Sequence, residues 1–547
     1  MRENSSMSKV DKTKTPKVLH PFLFPVFPVL AFYGANIHEV SWTELVLPVV
    51  VVLTVSSLLL SRLSSLLRNN EKSSCIVSLL WILFFSFGHI QLFVRNWKIG
   101  GLAVGTDRSV FLTLLAFFLV ISFTLYRSEK WTMAVDRLLR RFSLILFTLS
   151  FLFCSVSVLY AHWGMNSAPN SALTNLSQLK PKTYSPDIYH IVLDGHGRSD
   201  VLKELYGYDN SSFLDKLKQK GFYIADQSRS NYVYTYSSMG ATLNLTYLPP
   251  LSGSQRNNIF SNFQRKSETY GGLRESLLFF ILRKLNYKIV SFYSEYGVTE
   301  IPRADIHVGS PNRISDFHYA LLNMTPVRVL FYRMDHSDWW SPYRINRHRR
   351  TILSTLNYLP KLAAETRDYP IYAYVHLVSP HPPFVFGQDG GPPETMRPFT
   401  FWDDLGLQSI QGDLRKEFIQ GYKAQAAFIS KKTYEAVSKI LEVSPRPPII
   451  IIQGDHGPAA FVDWYNPNRM GLRERFSILN AYYFPGGGEK LLYNSISPVN
   501  TFRVLLNYYF GAIFPLLPDV NYFTFFTTSG FAVSSQELAH VDETHKF

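Results

Sequence analysis

The stretch Gln453-Gly454-Asp455-His456-Gly457 closes the apolar run Pro448-Ile449-Ile450-Ile451-Ile452. Four successive β-branched isoleucines after two prolines predict a strand buried on both faces. The strand stops at a glycine, and an Asp and a His emerge side by side. Ligands of open α/β sheets gather at the carboxyl ends of the strands. A carboxylate oxygen beside an imidazole nitrogen at such an edge suits a divalent metal. The plainer alternative is a turn in which Asp455 caps a helix and His456 lies on the surface.

Three further stretches carry residue types that do chemistry. Asp194-Gly195-His196-Gly197-Arg198 follows the apolar run Ile188–Leu193, so Asp194 is expected at a strand end, as Asp455 is. Two carboxylates from separate strands can share one cation; a turn aspartate is the competing reading. Asn231-Tyr232-Val233-Tyr234-Thr235-Tyr236-Ser237-Ser238 precedes a helix expected over Met239–Leu248. Thr235 there is either a simple cap or a hydroxyl at a helix end whose N–H groups and dipole favour an anion. A metal at that hydroxyl makes it a nucleophile. Ser237 and Ser238 are close enough to take its place. The run Ser379-Pro380-His381-Pro382-Pro383-Phe384 fixes His381 between prolines, where it can donate to a phosphoryl oxygen or a leaving group. His376 and His190 fall inside apolar strands and are expected to be satisfied core histidines. Arg473-Glu474-Arg475-Phe476 leads toward another strand. Its arginines suit an anionic substrate or a structural ion pair.

The elements that must position these residues alternate from Asp187 onward. Strands are expected at Ile188–Leu193, Phe222–Ala225, Lys288–Phe292, Ile371–Val378, Ile449–Gln453 and Asn480–Phe484. Helices are expected at Ser212–Gln219, Gly272–Leu285, Leu414–Leu441 and Asn500–Tyr509. That alternation predicts an α/β domain with a central, largely parallel sheet and helices on both faces. It is expected over residues 186–525, with a polar tail at 526–547.

The first third is different. Apolar runs at Pro21–Asn36, Leu45–Leu60, Cys75–Val94, Val110–Tyr126 and Phe142–Ala161 approach the roughly 20 residues that cross a bilayer. They predict an all-α transmembrane bundle of five helices over residues 21–162. The first run is interrupted by Pro21, Pro25 and Pro28. Basic residues crowd the tail 1–20, the loop after the second run and the loop after the fourth. The positive-inside rule then places the N-terminus in the cytoplasm and everything after the fifth run outside the cell membrane. Residues 163–185, rich in Ser, Asn, Pro and Thr, read as a linker.

The formal charge of +14 does not point to nucleic acid. Residues 1–162 hold 16 Lys and Arg against 8 Asp and Glu, a surplus placed in short loops between apolar runs. The 2 cysteines, Cys75 and Cys154, both lie in apolar runs. They offer no disulfide framework, zinc cluster or exposed nucleophile. The Asn-x-Ser/Thr triplets at Asn175, Asn210, Asn244 and Asn323 decide nothing about origin.

Taken in order, the motifs are strand–Asp, Thr before a helix, His-Pro-Pro-Phe, and strand–Asp-His-Gly. This order resembles the sulfatase-like branch of the alkaline phosphatase superfamily. The five-span, outward-facing layout resembles the lipoteichoic acid synthases and the lipid A phosphoethanolamine transferases. The resemblance implies one divalent metal, Mn or Zn with Ca or Mg open, on Asp194, Thr235, Asp455 and His456. It implies Thr235 as nucleophile and His381 as the substrate-contacting histidine, with Arg475 assisting at the substrate. The implied activity is a membrane-anchored transferase that moves a phospho-alcohol head group from a membrane lipid to an extracytoplasmic glycan or lipid through phospho-threonine. A phosphate- or sulfate-ester hydrolase of the same fold is the alternative, and a non-catalytic glycan-binding membrane protein is another. The chain departs from formylglycine sulfatases: no Cys or Ser near Thr235 is followed by Pro/Ala and Arg at the needed spacing.

Overall fold

In a computed structural model the chain forms two compact units, residues 1–164 with 313–332, and 165–312 with 333–547. The described residues run from 19 to 540, except 37–41, 95–96, 100–101, 165–178, 182–183, 249–272, 274–275, 302, 310–315, 330–340, 395–411, 465–466, 525, 528–529 and 532–537. The expected tail 1–20 and linker 163–185 lie mostly outside them.

The first unit is helical: α1 His20–Ala35, α2 Val46–Leu67, α3 Asn70–Val94, α4 Asp107–Arg127 and α5 Glu129–Gly164. All five expected runs form helices, four of them of membrane-spanning length among the described residues. The helical stretches that contain α2, α3, α4 and α5 are long and apolar enough to cross a membrane. At 16 residues, α1 reaches only about 24 Å, short of about 30 Å of hydrocarbon. Two prolines lie inside α1, and it packs against α2, α3 and α5. Polar side chains pin the helices together, as they do where no water competes. His20 contacts Ser78 Oγ at 2.7 Å and Asp136 Oδ1 at 3.0 Å, and Trp81 Nε1 donates to Ser56 Oγ at 2.8 Å. Leucines, phenylalanines and valines of α2, α4 and α5 are left exposed.

A segment from far along the chain completes this unit. Phe317, on the helix Asp316–Asn323, is buried against Phe32 and Tyr33 of α1. His318 Nε2 meets Glu44 O at 2.9 Å. Gly88 N donates to Met324 O at 2.9 Å; a Cβ at Gly88 would collide with that backbone. Arg328 grips Asp107 with two nitrogens, Nε at 3.0 Å and Nη2 at 2.9 Å.

The second unit is an α/β domain. The strands of its central sheet are β1 Ile188–Leu193, β2 Tyr223–Ile224, β3 Lys288–Phe292, β4 Ile306–Val308, β5 Ile371–Leu377, β6 Ile449–Gln453 and β7 Asn480–Tyr483. They form one 7-stranded sheet in the order β2-β7-β6-β1-β5-β3-β4. The run β6-β1-β5-β3-β4 is parallel, and β7 is antiparallel to both its neighbours. The six expected strands all form. The short β4 was not anticipated, because its three half-exposed residues make no apolar run.

Alternate residues of β1, β5 and β6 feed two cores. Tyr189, Ile191, Leu193, Val375, Ile450 and Ile452 face one side. Ile188, Val192, Tyr374, Ile449 and Ile451 face the other. Each fully buried isoleucine contributes about 1.5–3 kcal/mol. Helices cover both faces: α6 Ser199–Tyr206, α7 Ser211–Gln219, α8 Thr235–Asn244, α9 Leu277–Lys284, α10 Ser341–Ala364, α11 Gly412–Val443, α12 Arg469–Phe476 and α13 Pro498–Phe510. The helix expected over Met239–Leu248 begins earlier, at Thr235. The helices α6, α10 and α12 were not anticipated.

Candidate metal centre and nucleophile

Register brings the chemistry together. Val192 of β1 lies beside Gln453 of β6 and His376 of β5. The residues just past these strand ends therefore share one edge of the sheet. Asp194 leaves β1, and Asp455 and His456 leave β6 after Gly454. A Cβ at Gly454 would collide with His196 O, and one at Gly457 with Glu474 O. The two glycines let the loop carrying Asp455 and His456 pass through this backbone.

Asp194 and Asp455 are both buried. Asp194 Oδ1 and Asp455 Oδ2 accept no hydrogen bond among the described residues. Burial, then the charge of Asp455, raises the Asp194 carboxyl to about 7. Burial works against ionised Asp455 too, but His456, His376 and the Gly195 N–H outweigh it and hold its carboxyl below the usual range. Gly195 N donates to Asp455 Oδ1 at 3.0 Å. Two buried carboxylates with unused lone pairs are costly unless a cation sits between them.

Imidazoles flank the pair. His456 Nε2 is 3.6 Å from Asp194 Oδ1 and 3.4 Å from Asp455 Oδ2. Its Nδ1 lies 3.0 Å from Gly457 O. A carbonyl only accepts, so Nδ1 carries the proton and Nε2 presents its lone pair, the tautomer a metal requires.

His376 corrects the sequence expectation. It is buried, yet neither ring nitrogen finds a hydrogen-bond partner among the described residues. Its Nε2 lies 3.8 Å from Asp194 Oδ2 and 3.9 Å from Asp455 Oδ2. Among the described residues, Asp194, His376 and Asp455 form a group whose ligand atoms lie within 4.8 Å of one another. His376 was missed because a strand buried on both faces gives no alternation from which to tell a site-facing residue from a core one. His190 does behave as a core histidine. Its Nδ1 meets Tyr372 Oη at 2.9 Å, and burial pushes its ring down to about 3.

Thr235 is the first residue of α8, and Tyr234 before it caps with no side chain. Thr235 Oγ1 lies 3.2 Å from His456 Nε2. Ser238 Oγ is committed to Asp455 O at 2.6 Å. Asp194, Asp455, His456, His376 and Thr235 supply the hard oxygen and imidazole donors that suit a divalent ion.

His381 approaches from the β5 loop. Its backbone N donates to Asp194 O at 2.9 Å, its Nδ1 meets Pro382 O at 2.6 Å, and its ring centre is 6.0 Å from that of His456. The helix α11 braces this side. Gln425 donates to His381 O at 3.0 Å and accepts from Val385 N at 2.7 Å. Tyr422 Oη donates to Gly195 O at 2.9 Å and accepts from Gly197 N at 3.0 Å. Nothing in the sequence distinguishes Tyr422 and Gln425 from other residues of a long amphipathic helix.

Arg475, expected at the substrate, is buried at the end of α12. Its Nε donates to Val233 O at 2.9 Å, its Nη1 to Gly457 O at 2.9 Å, and its Nη2 lies 3.2 Å from His456 Nε2. Its neighbour Glu474 accepts from Ala460 N at 2.9 Å, Phe461 N at 2.8 Å and Tyr206 Oη.

No known family's sequence pattern matches the chain, and no curated protein does. Solved structures do match. The zinc complex of the C-terminal periplasmic domain of EptC from Escherichia coli is 10% identical, with 66% of this chain and 96% of that one covered and a TM-score of 0.41. The integral membrane lipooligosaccharide phosphoethanolamine transferase A from Neisseria meningitidis is 11% identical over 90% and 95% of the two chains, with a TM-score of 0.34. A putative sulfatase from Bacteroides thetaiotaomicron is 13% identical over 63% and 78%, with a TM-score of 0.38. The chain is similar in fold to these solved phosphoethanolamine transferases and this sulfatase.

Proposed function

We propose that the protein is a membrane-anchored, metal-dependent transferase. It moves a phospho-alcohol head group from a phospholipid to a glycan or lipid hydroxyl outside the cell membrane. One observation carries this reading: the Thr235 hydroxyl lies 3.2 Å from an imidazole nitrogen that also faces two buried carboxylates with unused oxygens. A nucleophile beside such a cluster, at the positive end of a ten-residue helix, suits attack on a phosphate ester.

A divalent ion held by Asp194, Asp455, His456 and Thr235, with His376 as a further donor, would act as Lewis acid and lower the pKa of the hydroxyl. The chain's residues do the rest. Thr235 loses its proton to solvent and its Oγ bonds to phosphorus. The bond from phosphorus to the diacylglycerol oxygen breaks, and His381 gives that oxygen a proton. In the second half the acceptor hydroxyl passes its proton to His381 and takes the phosphoryl group, and Thr235 regains a proton from solvent. With Nδ1 turned to Pro382 O, Nε2 of His381 is the nitrogen assigned to these transfers. The α8 dipole favours the phosphoryl charge.

The helical unit supports the lipid side of this reading. The segment 316–329 bonds near Glu44, Gly88 and Asp107. Glu44 and Asp107 lie at helix ends, and Gly88 in the last two turns of α3, on the side that the loop charges assign to the outside, where the later part of the chain is also assigned. A site tethered to the membrane meets its lipid donor at high effective concentration.

The test uses the full-length protein in detergent with phosphatidylethanolamine or phosphatidylglycerol and Mn²⁺ or Zn²⁺. Intact mass should rise by one phospho-head group in the wild type and not in Thr235→Ala. Product analysis with and without a glycan acceptor separates transferase from hydrolase. No adduct and no bound metal would favour a binding protein instead.

A further inference from the structure

We propose that Arg475 is a positioning residue whose single guanidinium sets both the tautomer of His456 and the place of Thr235. The inference rests on the metal-dependent reading above and reassigns Arg475 away from the substrate.

The guanidinium is a rigid planar fork, and here each arm has a separate task. Nη1 holds Gly457 O at 2.9 Å. That carbonyl is also the partner of His456 Nδ1 at 3.0 Å. By fixing the carbonyl, Arg475 fixes which ring nitrogen carries the proton, and so leaves Nε2 as the acceptor that faces Asp194, Asp455 and Thr235, with the Arg475 Nη2 also 3.2 Å from it. Nε holds Val233 O at 2.9 Å, two residues before Thr235 and just ahead of α8. The fork therefore bridges the segment that delivers the nucleophile and the loop that delivers the imidazole. The 3.2 Å separation of Thr235 Oγ1 and His456 Nε2 lies between those two anchor points.

Two further contacts hold the fork itself. Its carbon sits 5.2 Å from the centre of the Trp464 ring, and Trp464 stacks on Tyr234, the residue beside Thr235, at 5.4 Å. In return Gly457 N donates to Arg475 O at 2.6 Å, so backbone and side chain of one residue clamp the same glycine. A buried lysine would keep the charge. As a single point donor it offers no planar fork for the Val233 and Gly457 carbonyls together.

The experiment titrates the full-length protein in detergent with Mn²⁺ and Zn²⁺ for wild type, Arg475→Lys, Arg475→Ala and Trp464→Leu. Outer partners of a metal-binding histidine alter affinity by about 10–100-fold. A loss in that range is expected for both Arg475 variants, with millimolar guanidinium restoring part of it in Arg475→Ala. A purely structural loss would show no such rescue. Arg475→Lys with wild-type affinity would overturn the proposal. So would unchanged affinity accompanied by a raised KM for the lipid donor, the mark of a substrate contact. If neither Arg475 variant folds, Trp464→Leu decides: it removes no donor but takes away the ring under the fork. Its metal affinity should fall several-fold, and unchanged affinity overturns the idea. A wild type that binds neither metal overturns the metal-dependent reading along with this one.

Discussion

Thr235 Oγ1 and His456 Nε2 are 221 residues apart in sequence and 3.2 Å apart in space. The contact joins the first residue of α8 to the loop after β6, and in the proposed mechanism it is the point where the nucleophile meets a metal-binding nitrogen. Replacing Thr235 by Ala should lower turnover at least about 10³-fold and abolish any covalent adduct, while metal binding is weakened but not lost. Thr235→Ser should keep the adduct. An adduct that persists in Thr235→Ala would move the nucleophile elsewhere.

Removing metal should destabilise the fold. Asp194 and Asp455 lie buried with unused oxygens, so a bound cation relieves a cost that the metal-free protein bears. A metal present at 100 times its Kd stabilises by about 2.7 kcal/mol. Addition of EDTA should lower the Tm of the wild type. In Asp455→Asn the Tm should respond much less to EDTA. An equal response in both would show that the chelator acts elsewhere.

His376 should matter for metal rather than for packing. Its ring faces both carboxylates at 3.8 Å and 3.9 Å. His376→Gln, similar in size, should weaken Mn²⁺ or Zn²⁺ binding by about 10-fold or more and leave the metal-free Tm nearly unchanged. A large fall in metal-free Tm with intact metal affinity would return His376 to the core.

Glu474 gives a pH dependence with a definite sign. Burial raises its carboxyl from 4.5 to about 7, against the pull of Tyr206 and of the Phe461 and Ala460 N–H groups. The folded state thus keeps a proton that the unfolded state gives up. The resulting stability is present in full below pH 4.5 and is lost as the pH rises toward 7, on the order of 3 kcal/mol in all. Glu474→Gln should flatten this part of the Tm-against-pH curve. An unaltered slope would assign it to other groups.

In the helical unit the pair Arg328–Asp107 fastens the distant segment to the start of α4. Both side chains are about three-quarters buried. Reversing either charge alone should lower the Tm in detergent, and reversing both should recover part of the loss. A double-mutant cycle should return a coupling of roughly 1 kcal/mol. Additive losses would mean that the two do not interact.

The sequence by itself determined the strands and the residues at their ends. Apolar runs such as Ile449–Ile452 have few ways to be buried other than as inner strands, and Asp194, Asp455 and His456 follow such runs directly. It also marked the apolar helices, of which α1 is the shortest at 16 residues. Short or polar elements such as β4 and α12 escaped, because three half-exposed residues or two turns of charged helix carry no period. Only the tertiary structure decided which side chains meet. His376 and His190 lie on neighbouring paired strands, each inside an apolar run. Register sends one to the carboxylates and leaves the other against Tyr372. Arg475 has the residue type of an anion binder. The close passage of Gly457 beneath α12 brings its fork onto the carbonyls of Val233 and Gly457. Burial and periodicity are local and can be read along the chain; a hydrogen bond between loops hundreds of residues apart depends on how the sheet is ordered, and no local pattern encodes that.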